Sequence, residues 1–289
     1  CQKAHRKNHK HQCNQGVKYL KEWVDHLATK HHEIKENIGV AHNGDDDEDE
    51  DEDDELFEPI PPQVDCPICI LPLPVEVTEH SYMGCCGNCI CHGCCMEDAR
   101  VTLERGQIPR CPFCREPGLL SENEDVIRIK RRMEMHDSSA IHLASCWYRL
   151  GEKGLPRDPQ LAFDLSLRAA ELGNSDACGS AAIFYMGGYG SMGGSVPKDM
   201  TKAREYLKMS AKSGGINARH NLGMDEYLKK GNYRLACRHW LISAAAGYTF
   251  SLEEIAKLYK IKLVTQIEYS IALASYRNVH KNEWSIERE

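Results

Sequence analysis

The sequence contains no run of apolar residues long enough to cross a bilayer as a helix, so no membrane span is expected. It also lacks a broad basic surface. Its densest cationic stretch, RIKRR at 128–132, is short and reads as one face of a helix, so nucleic acid is not an indicated partner. No Gly-rich stretch follows a strand pattern, which argues against a phosphate-binding loop. The chain starts at Cys1 in a His- and Lys-rich segment, with neither an initiator Met nor an apolar signal region, and is expected to be a fragment or to lack its natural start. Without an export signal, disulfide cross-linking is not the expected use of its cysteines.

Cysteine is abundant, with fifteen in 289 residues. Ten lie between Cys66 and Cys114, two at the amino terminus (Cys1, Cys13) and three in the second half (Cys146, Cys178, Cys237). The ten come in tight knuckles, which points to metal binding in a reducing compartment, cytoplasmic or nuclear. The three in the second half sit near small residues at helical spacing and read as buried apolar thiols.

The net charge of −7 is set by one segment, DDDEDEDEDDE at 45–55, and becomes +4 once those eleven acids are set aside. Such a run repels itself and buries no apolar surface, so residues 41–62 read as an acidic, disordered linker. Before it, Val17, Leu20, Val24, Leu27, His31 and Ile34 recur at spacings of three and four, which predicts an amphipathic helix within 14–40.

After the linker come CPIC, fifteen residues, CCGNCICHGC, sixteen residues, and CPFC. Zinc takes four tetrahedral thiolate or imidazole ligands, and two cysteines three positions apart supply half a site. Three such pairs are plain: Cys66 with Cys69, Cys91 with Cys94, and Cys111 with Cys114. Cys85 and Cys86 are candidates for the fourth. A rival pairing of Cys86 with Cys89 stays open, with His92 as a substitute ligand, while Cys95 is left over.

This arrangement resembles a RING finger of the all-cysteine subclass, over residues 66–117 within an expected module of 63–120. The resemblance implies two interleaved zinc ions, one held by Cys66, Cys69, Cys91 and Cys94 and the other by Cys85, Cys86, Cys111 and Cys114. It implies recruitment of a ubiquitin-conjugating enzyme and transfer of ubiquitin to a substrate by positioning, with no catalytic nucleophile in the chain. Ile68 and Pro112 match residues that contact the conjugating enzyme, and Arg115 matches the cation that bridges it to ubiquitin. The aromatic residue common between the sixth and seventh ligands is missing; Val101 and Leu103 are its nearest substitutes. The alternative is a non-enzymatic scaffold stabilised by zinc.

CQKAHRKNHKHQC at 1–13 resembles the closing part of a MYND zinc finger, which places Cys1, His9 and Cys13 at ligand positions, although Arg6 stands where that family has Trp.

From 137 to 281, following a connecting helix at 121–136, small residues recur in register. Ala162, Ala203 and Ala236 are followed eight residues on by Ala170, Ala211 and Ala244. Gly173, Gly214 and Gly247 come eleven residues on, and Ala177, Ala218 and Ser251 fifteen. The copies are 41 and then 33 residues apart, the difference falling in the Gly-rich loop GGYGSMGGSVPKD at 187–199. Each copy reads as helix, loop, helix, turn, and the pattern is similar to Sel-one-like repeats, relatives of the tetratricopeptide fold. That likeness implies an α-helical solenoid that binds protein substrates or adaptors. Trp147, Tyr148, Phe184, Tyr185, Tyr206 and Trp240 read as packing residues, and 282–289 as a tail. The chain as a whole is expected to be mainly α, a small zinc-stapled hairpin-plus-helix module followed by helical repeats.

Overall fold

The computed structural model describes residues 56–57, 64–73, 80–118, 121–187 and 196–284. The MYND-like segment with Cys1, His9 and Cys13, the expected helix within 14–40, the acidic run and most of the tail lie outside the described residues. The described part is mainly α-helical, with one short hairpin.

That hairpin pairs β1 (His80–Tyr82) antiparallel with β2 (Cys89–Cys91), in the register His80 with Cys91, Ser81 with Ile90 and Tyr82 with Cys89. Helix α1 (His92–Glu104) follows directly, its first turn capped by the Cys91 sulfur, which accepts from the Cys94 amide. Ile90 is fully buried and Cys66 with it, a very small core for a module of this length.

Helix α2 (Glu122–Glu134) joins the module to the repeats. Ser121 caps it by accepting from the Glu124 amide; Glu122, Glu124 and Asp125 lie in the first turn and Arg131 and Arg132 in the last, placements that suit the helix dipole, while Glu134 at the end does not. The repeats then run α3 (Ser138–Leu150), α4 (Pro159–Glu171), α5 (Ser175–Tyr185), α6 (Met200–Lys212), α7 (Ile216–Lys230), α8 (Tyr233–Ala245), α9 (Thr249–Lys260) and α10 (Gln266–Trp284). Each packs mainly on its sequence neighbours, as in a solenoid.

The sequence register reappears as repeated chemistry. Asp158, Asp199 and Asn232, four residues before the register alanines, cap α4, α6 and α8 by accepting from the Leu161, Lys202 and Leu235 amides. Ala162, Ala203 and Ala236 are buried, and so are Ala170, Ala211, Ala244, Ala177, Ala218 and Ser251. Gly173, Gly214 and Gly247 end these three helices in the left-handed region, at φ of 83°, 91° and 99°. Each glycine amide donates to the carbonyl three residues back, and the following amide donates to the carbonyl five residues back from itself, so orphan carbonyls are satisfied identically three times. No strand occurs among the described residues of 137–281.

Trp147, Phe184 and Trp240 are buried packing residues. Cys178 and Cys237 are buried, whereas Cys146 is only half-buried. One finding departs from the linker expected over 41–62. Leu56 and Phe57 lie within that span, yet Leu56 is 1% exposed and belongs to the repeat core with Ala182, Leu207, Ala211, Ala218 and Leu222. Composition groups the pair with its acidic neighbours, yet an aliphatic and an aromatic side chain gain free energy by burial.

Candidate metal centres

Two groups of four cysteines come together. Cys66, Cys69, Cys91 and Cys94 form one, and Cys85, Cys86, Cys111 and Cys114 the other; within each group the four sulfurs lie within 4.8 Å of one another. The four pairs thus interleave, first with third and second with fourth. Cys89 sits on β2 in neither group, and Cys95 and His92 lie on α1, also in neither.

The two Cys-Pro-x-Cys knuckles are built alike. In the first, the Ile70 amide donates to the Cys66 carbonyl and the Cys66 amide to Leu71. In the second, Arg115 donates to Cys111 and Cys111 to Glu116. The residue after the second cysteine is left-handed in both, Ile70 at φ 61° and Arg115 at φ 62°. For β-branched Ile70 this is a costly conformation, which persists only where surroundings over-determine it.

The donor set suits zinc. Tetrahedral coordination with Zn–S bonds of about 2.3 Å places sulfurs about 3.8 Å apart. Cys69 and Cys91 are 3.8 Å apart, and Cys86 and Cys111 3.7 Å. Thiolate charge is supported by donors: the Cys91 amide to Cys66 at 3.5 Å, the Cys94 amide to Cys91 at 3.4 Å and the Asn88 side-chain amide to Cys86 at 3.3 Å. Burial pushes Cys69 up to about 11, aided by the neighbouring thiols Cys66 and Cys91. Burial likewise pushes Cys85 and Cys94 up, each reinforced by other thiols of its own group. At Cys66 burial acts upward too, but amides of Cys69, Cys91 and Ile68 outweigh it and bring the thiol down to about 7. Thiols held this close oppose one another's ionisation, and a divalent cation relieves that opposition. Both groups could hold a metal ion, and their chemistry is consistent with zinc.

Around these centres the module leaves large apolar side chains in water. Ile68 is 43% exposed, and Val64, Ile70, Met96, Leu103 and Ile108 are exposed as well. Arg115 is exposed, and Pro112 is half-buried. His80, on β1, keeps a buried Nδ1 with no hydrogen-bond partner.

The module is fastened to the repeats. Tyr82 donates its hydroxyl to Asp137 at 2.7 Å, and Arg132 Nε donates to the same carboxylate oxygen at 2.9 Å. The other oxygen caps α3 by accepting from the Ser139 and Ala140 amides. Burial raises the Asp137 carboxyl, but the Tyr82 and Arg132 hydrogen bonds outweigh it and hold the group below its ordinary range. Arg128 donates to the Pro117 carbonyl at 2.9 Å and pairs with Glu124. Gly84 lies against Ile129, where an added Cβ would stand 3.1 Å from the Ile129 side chain.

A second assembly, absent from the sequence reading, surrounds Leu56 and Phe57. Buried Arg219 donates to the Leu56 carbonyl at 2.7 Å. The Phe57 ring lies 4.7 Å from that of His239, with the Arg238 guanidinium 3.8 Å from its centroid. The one signal in the sequence is an apolar pair directly after an acidic run.

Residues 138–174, 177–215 and 216–248 match the model of the Sel1 repeat family. No curated protein matches the chain by sequence. Among solved structures, the chain is similar to a Sel1 repeat protein from Oxalobacter formigenes, at 26% identity and a TM-score of 0.47 over 55% of this chain and 64% of that one. It is similar to a protective antigen of uropathogenic Escherichia coli displaying an SLR fold, at 17% identity and a TM-score of 0.32, over 58% of this chain and 43% of that one. It is also similar to an immunity protein of Pseudomonas aeruginosa, at 15% identity and a TM-score of 0.32, over 63% and 82% of the two chains. The chain therefore spans less than two thirds of the first two of these proteins. No helix among the described residues is long and apolar enough to cross a membrane.

Proposed function

We propose that residues 63–120 are a two-zinc RING module and that the chain acts as a RING-type ubiquitin ligase, with its Sel1 repeats holding the protein to be modified. The observation that carries this reading is the interleaving of four cysteine pairs into two groups, first with third and second with fourth. Cys66, Cys69, Cys91 and Cys94 would hold one zinc ion, and Cys85, Cys86, Cys111 and Cys114 the other. Bound there, the metals supply folding free energy that so small a core does not. A reducing compartment, cytoplasmic or nuclear, would keep these thiols available.

No residue of the chain is asked to form a covalent bond with ubiquitin. The module's role is to hold a charged conjugating enzyme so that its thioester faces the substrate lysine, a gain of proximity. Ile68, exposed on a knuckle, gains nothing in folding from that position and suits an apolar contact with the conjugating enzyme, a role proposed for Pro112 as well. Arg115, exposed after the last cysteine, presents a planar five-donor group suited to bridging conjugating enzyme and ubiquitin. The absence of an aromatic residue near Val101 and Leu103 favours the second reading, a zinc scaffold that assembles proteins without transfer.

Single-turnover discharge of ubiquitin from a panel of charged conjugating enzymes separates the two. Ile68→Ala should weaken recruitment by about 30-fold, the effect of losing one interface hot spot. Arg115→Ala should slow discharge while leaving recruitment nearly intact, and both variants should keep their metal. Wild-type protein that discharges no conjugating enzyme, or variants indistinguishable from it, would leave the scaffold reading in place.

A further inference from the structure

The two cysteine groups are seated differently. The first draws its described hydrogen bonds from within the module: Ile70 donates to Cys66, Cys66 to Leu71 and Leu73 to Val64, and the Cys91 and Cys94 amides donate to cysteine sulfurs. The second lies where α2 and the cap of α3 meet the module. Its Cys85 and Cys86 sit side by side in the turn 83–88. That turn closes on itself, with the Cys86 and Gly87 amides donating to the Met83 carbonyl and the Met83 amide to Asn88.

Both ends of this turn are clamped from outside the module. Near its start, a Cβ added to Gly84 would stand 3.1 Å from the Ile129 side chain and 3.6 Å from Arg128 Cβ. Near its end, Gly87 is left-handed at φ 80°, and an added Cβ would run into the Arg132 guanidinium and stand 3.0 Å from Asp137 Oδ2. That guanidinium is not free to swing aside, because it is bonded to the same carboxylate as the Tyr82 hydroxyl. The other half of the group, Cys111 with Cys114, is closed by the segment that follows it. The Cys111 amide donates to the Glu116 carbonyl, and Pro117 faces Arg110 in an isolated antiparallel bridge. Arg128, 8% exposed, donates to the Pro117 carbonyl at 2.9 Å and lies 3.9 Å from the Glu116 carboxylate. Arg128, Ile129 and Arg132 share one face of α2, with Arg128 and Arg132 one helical turn apart. A single helix face therefore holds both halves of one cysteine group, halves that come from separate stretches of the sequence.

We propose that α2 pre-organises the second metal centre, with Arg132 and Arg128 as its positioning residues, so that the metal affinity of that centre alone is coupled to the seating of the module on the repeats. Arg132 fixes the turn that carries Cys85 and Cys86, and Arg128 fixes the segment that closes the knuckle of Cys111 and Cys114. A site whose halves are loose must order them at the moment of binding, and the entropy lost then lowers its affinity. Here the ordering is done by α2 and the cap of α3. Coupling of this kind is reciprocal, so occupancy of the second centre strengthens the seat of the module by the same factor. The first centre depends on bonds internal to the module and stands outside the coupling. The proposal rests on the reading of the two cysteine groups as zinc centres and is independent of ubiquitin transfer.

The test equilibrates the full chain in buffers of decreasing free zinc, alkylates it with N-ethylmaleimide and maps the modified peptides, which reads the two cysteine groups separately. Arg132→Met keeps the aliphatic stem and removes the guanidinium. In that variant Cys85, Cys86, Cys111 and Cys114 should lose protection at a free-zinc level about ten-fold higher than in wild type, the effect of losing a group that orients metal ligands. Cys66, Cys69, Cys91 and Cys94 should keep the wild-type midpoint. Arg128→Met acts on the other half of the centre and should move the same four cysteines. Circular dichroism verifies that the repeats are folded in each chain, and if Arg132→Met fails to fold, Arg128→Met decides alone. Equal shifts in the two groups, or no shift in the second, would overturn the proposal. Wild-type cysteines that alkylate irrespective of free zinc would remove the metal reading itself, and the proposal with it.

Discussion

His239 is buried to 1% exposure with cations on several sides. Burial lowers its pKa well below the ordinary value, and Arg219, Arg204, Arg238 and Lys208 lower it further, so the ring is neutral in the folded protein. Burial also lowers His142 and His220. A histidine with a depressed folded pKa binds a proton more readily once unfolded. The stability it contributes is therefore complete above about pH 6.5 and declines as pH falls below that value. Urea unfolding followed by helical signal should show wild type losing stability between pH 7 and pH 5.5. His239→Gln should lessen that loss by up to about 1.4 kcal/mol per pH unit, because one proton no longer distinguishes the two states. Equal slopes in the two proteins would show that His239 is not held neutral by the fold. Metal release at low pH acts on both chains alike and cancels in the comparison.

At the scale of elements, two glycines inside helices should respond oppositely to the same substitution. Gly179 in α5 faces only the Ser210 hydroxyl, at 3.8 Å from an added Cβ. Gly179→Ala should stabilise by about 0.5–1 kcal/mol through reduced backbone entropy in the unfolded chain. Gly223 in α7 lies against the buried Trp240 indole, where a Cβ would stand 2.5 Å from Nε1, the atom that donates to the His220 carbonyl. Gly223→Ala should destabilise by about 1–3 kcal/mol, the cost of overpacking. Thermal unfolding of the two variants checks both signs, and a stabilising Gly223→Ala would refute the close packing of α7 on α8. The helical register was legible because caps, alanines and closing glycines answer to local rules that repeat. Asp158, Asp199 and Asn232 cap for the same reason at the same offset. Three of the four cysteine pairs were plain from spacing, whereas the grouping of Cys85 and Cys86 with Cys111 and Cys114 is seen only in the structure. Leu56 and Phe57 were not legible as buried residues. Their partner Arg219 is 163 positions away from Leu56, and composition alone places the dipeptide with its acidic neighbours.

At the scale of the whole molecule, the cysteine module and the repeats are joined by specific bonds. Tyr82, Arg132 and Asp137 bring β1, α2 and the cap of α3 to one carboxylate, and Ile129 of α2 packs beneath Gly84. This junction combines residues from three places in the sequence, each ordinary by itself, which is why no motif announced it. It gives the module a fixed seat on the array and depends on the module being folded, to which the proposed metals would contribute. Two interleaved metal centres are thus the premise of everything proposed for the amino-terminal half. Native mass spectrometry of the full chain tests that premise most directly. The account predicts two zinc ions per chain, falling to one when Cys85 or Cys86 is replaced by Ser and remaining two for Cys89→Ser and Cys95→Ser. A wild-type chain carrying one zinc or none, or a Cys89→Ser variant that loses an ion, would contradict it.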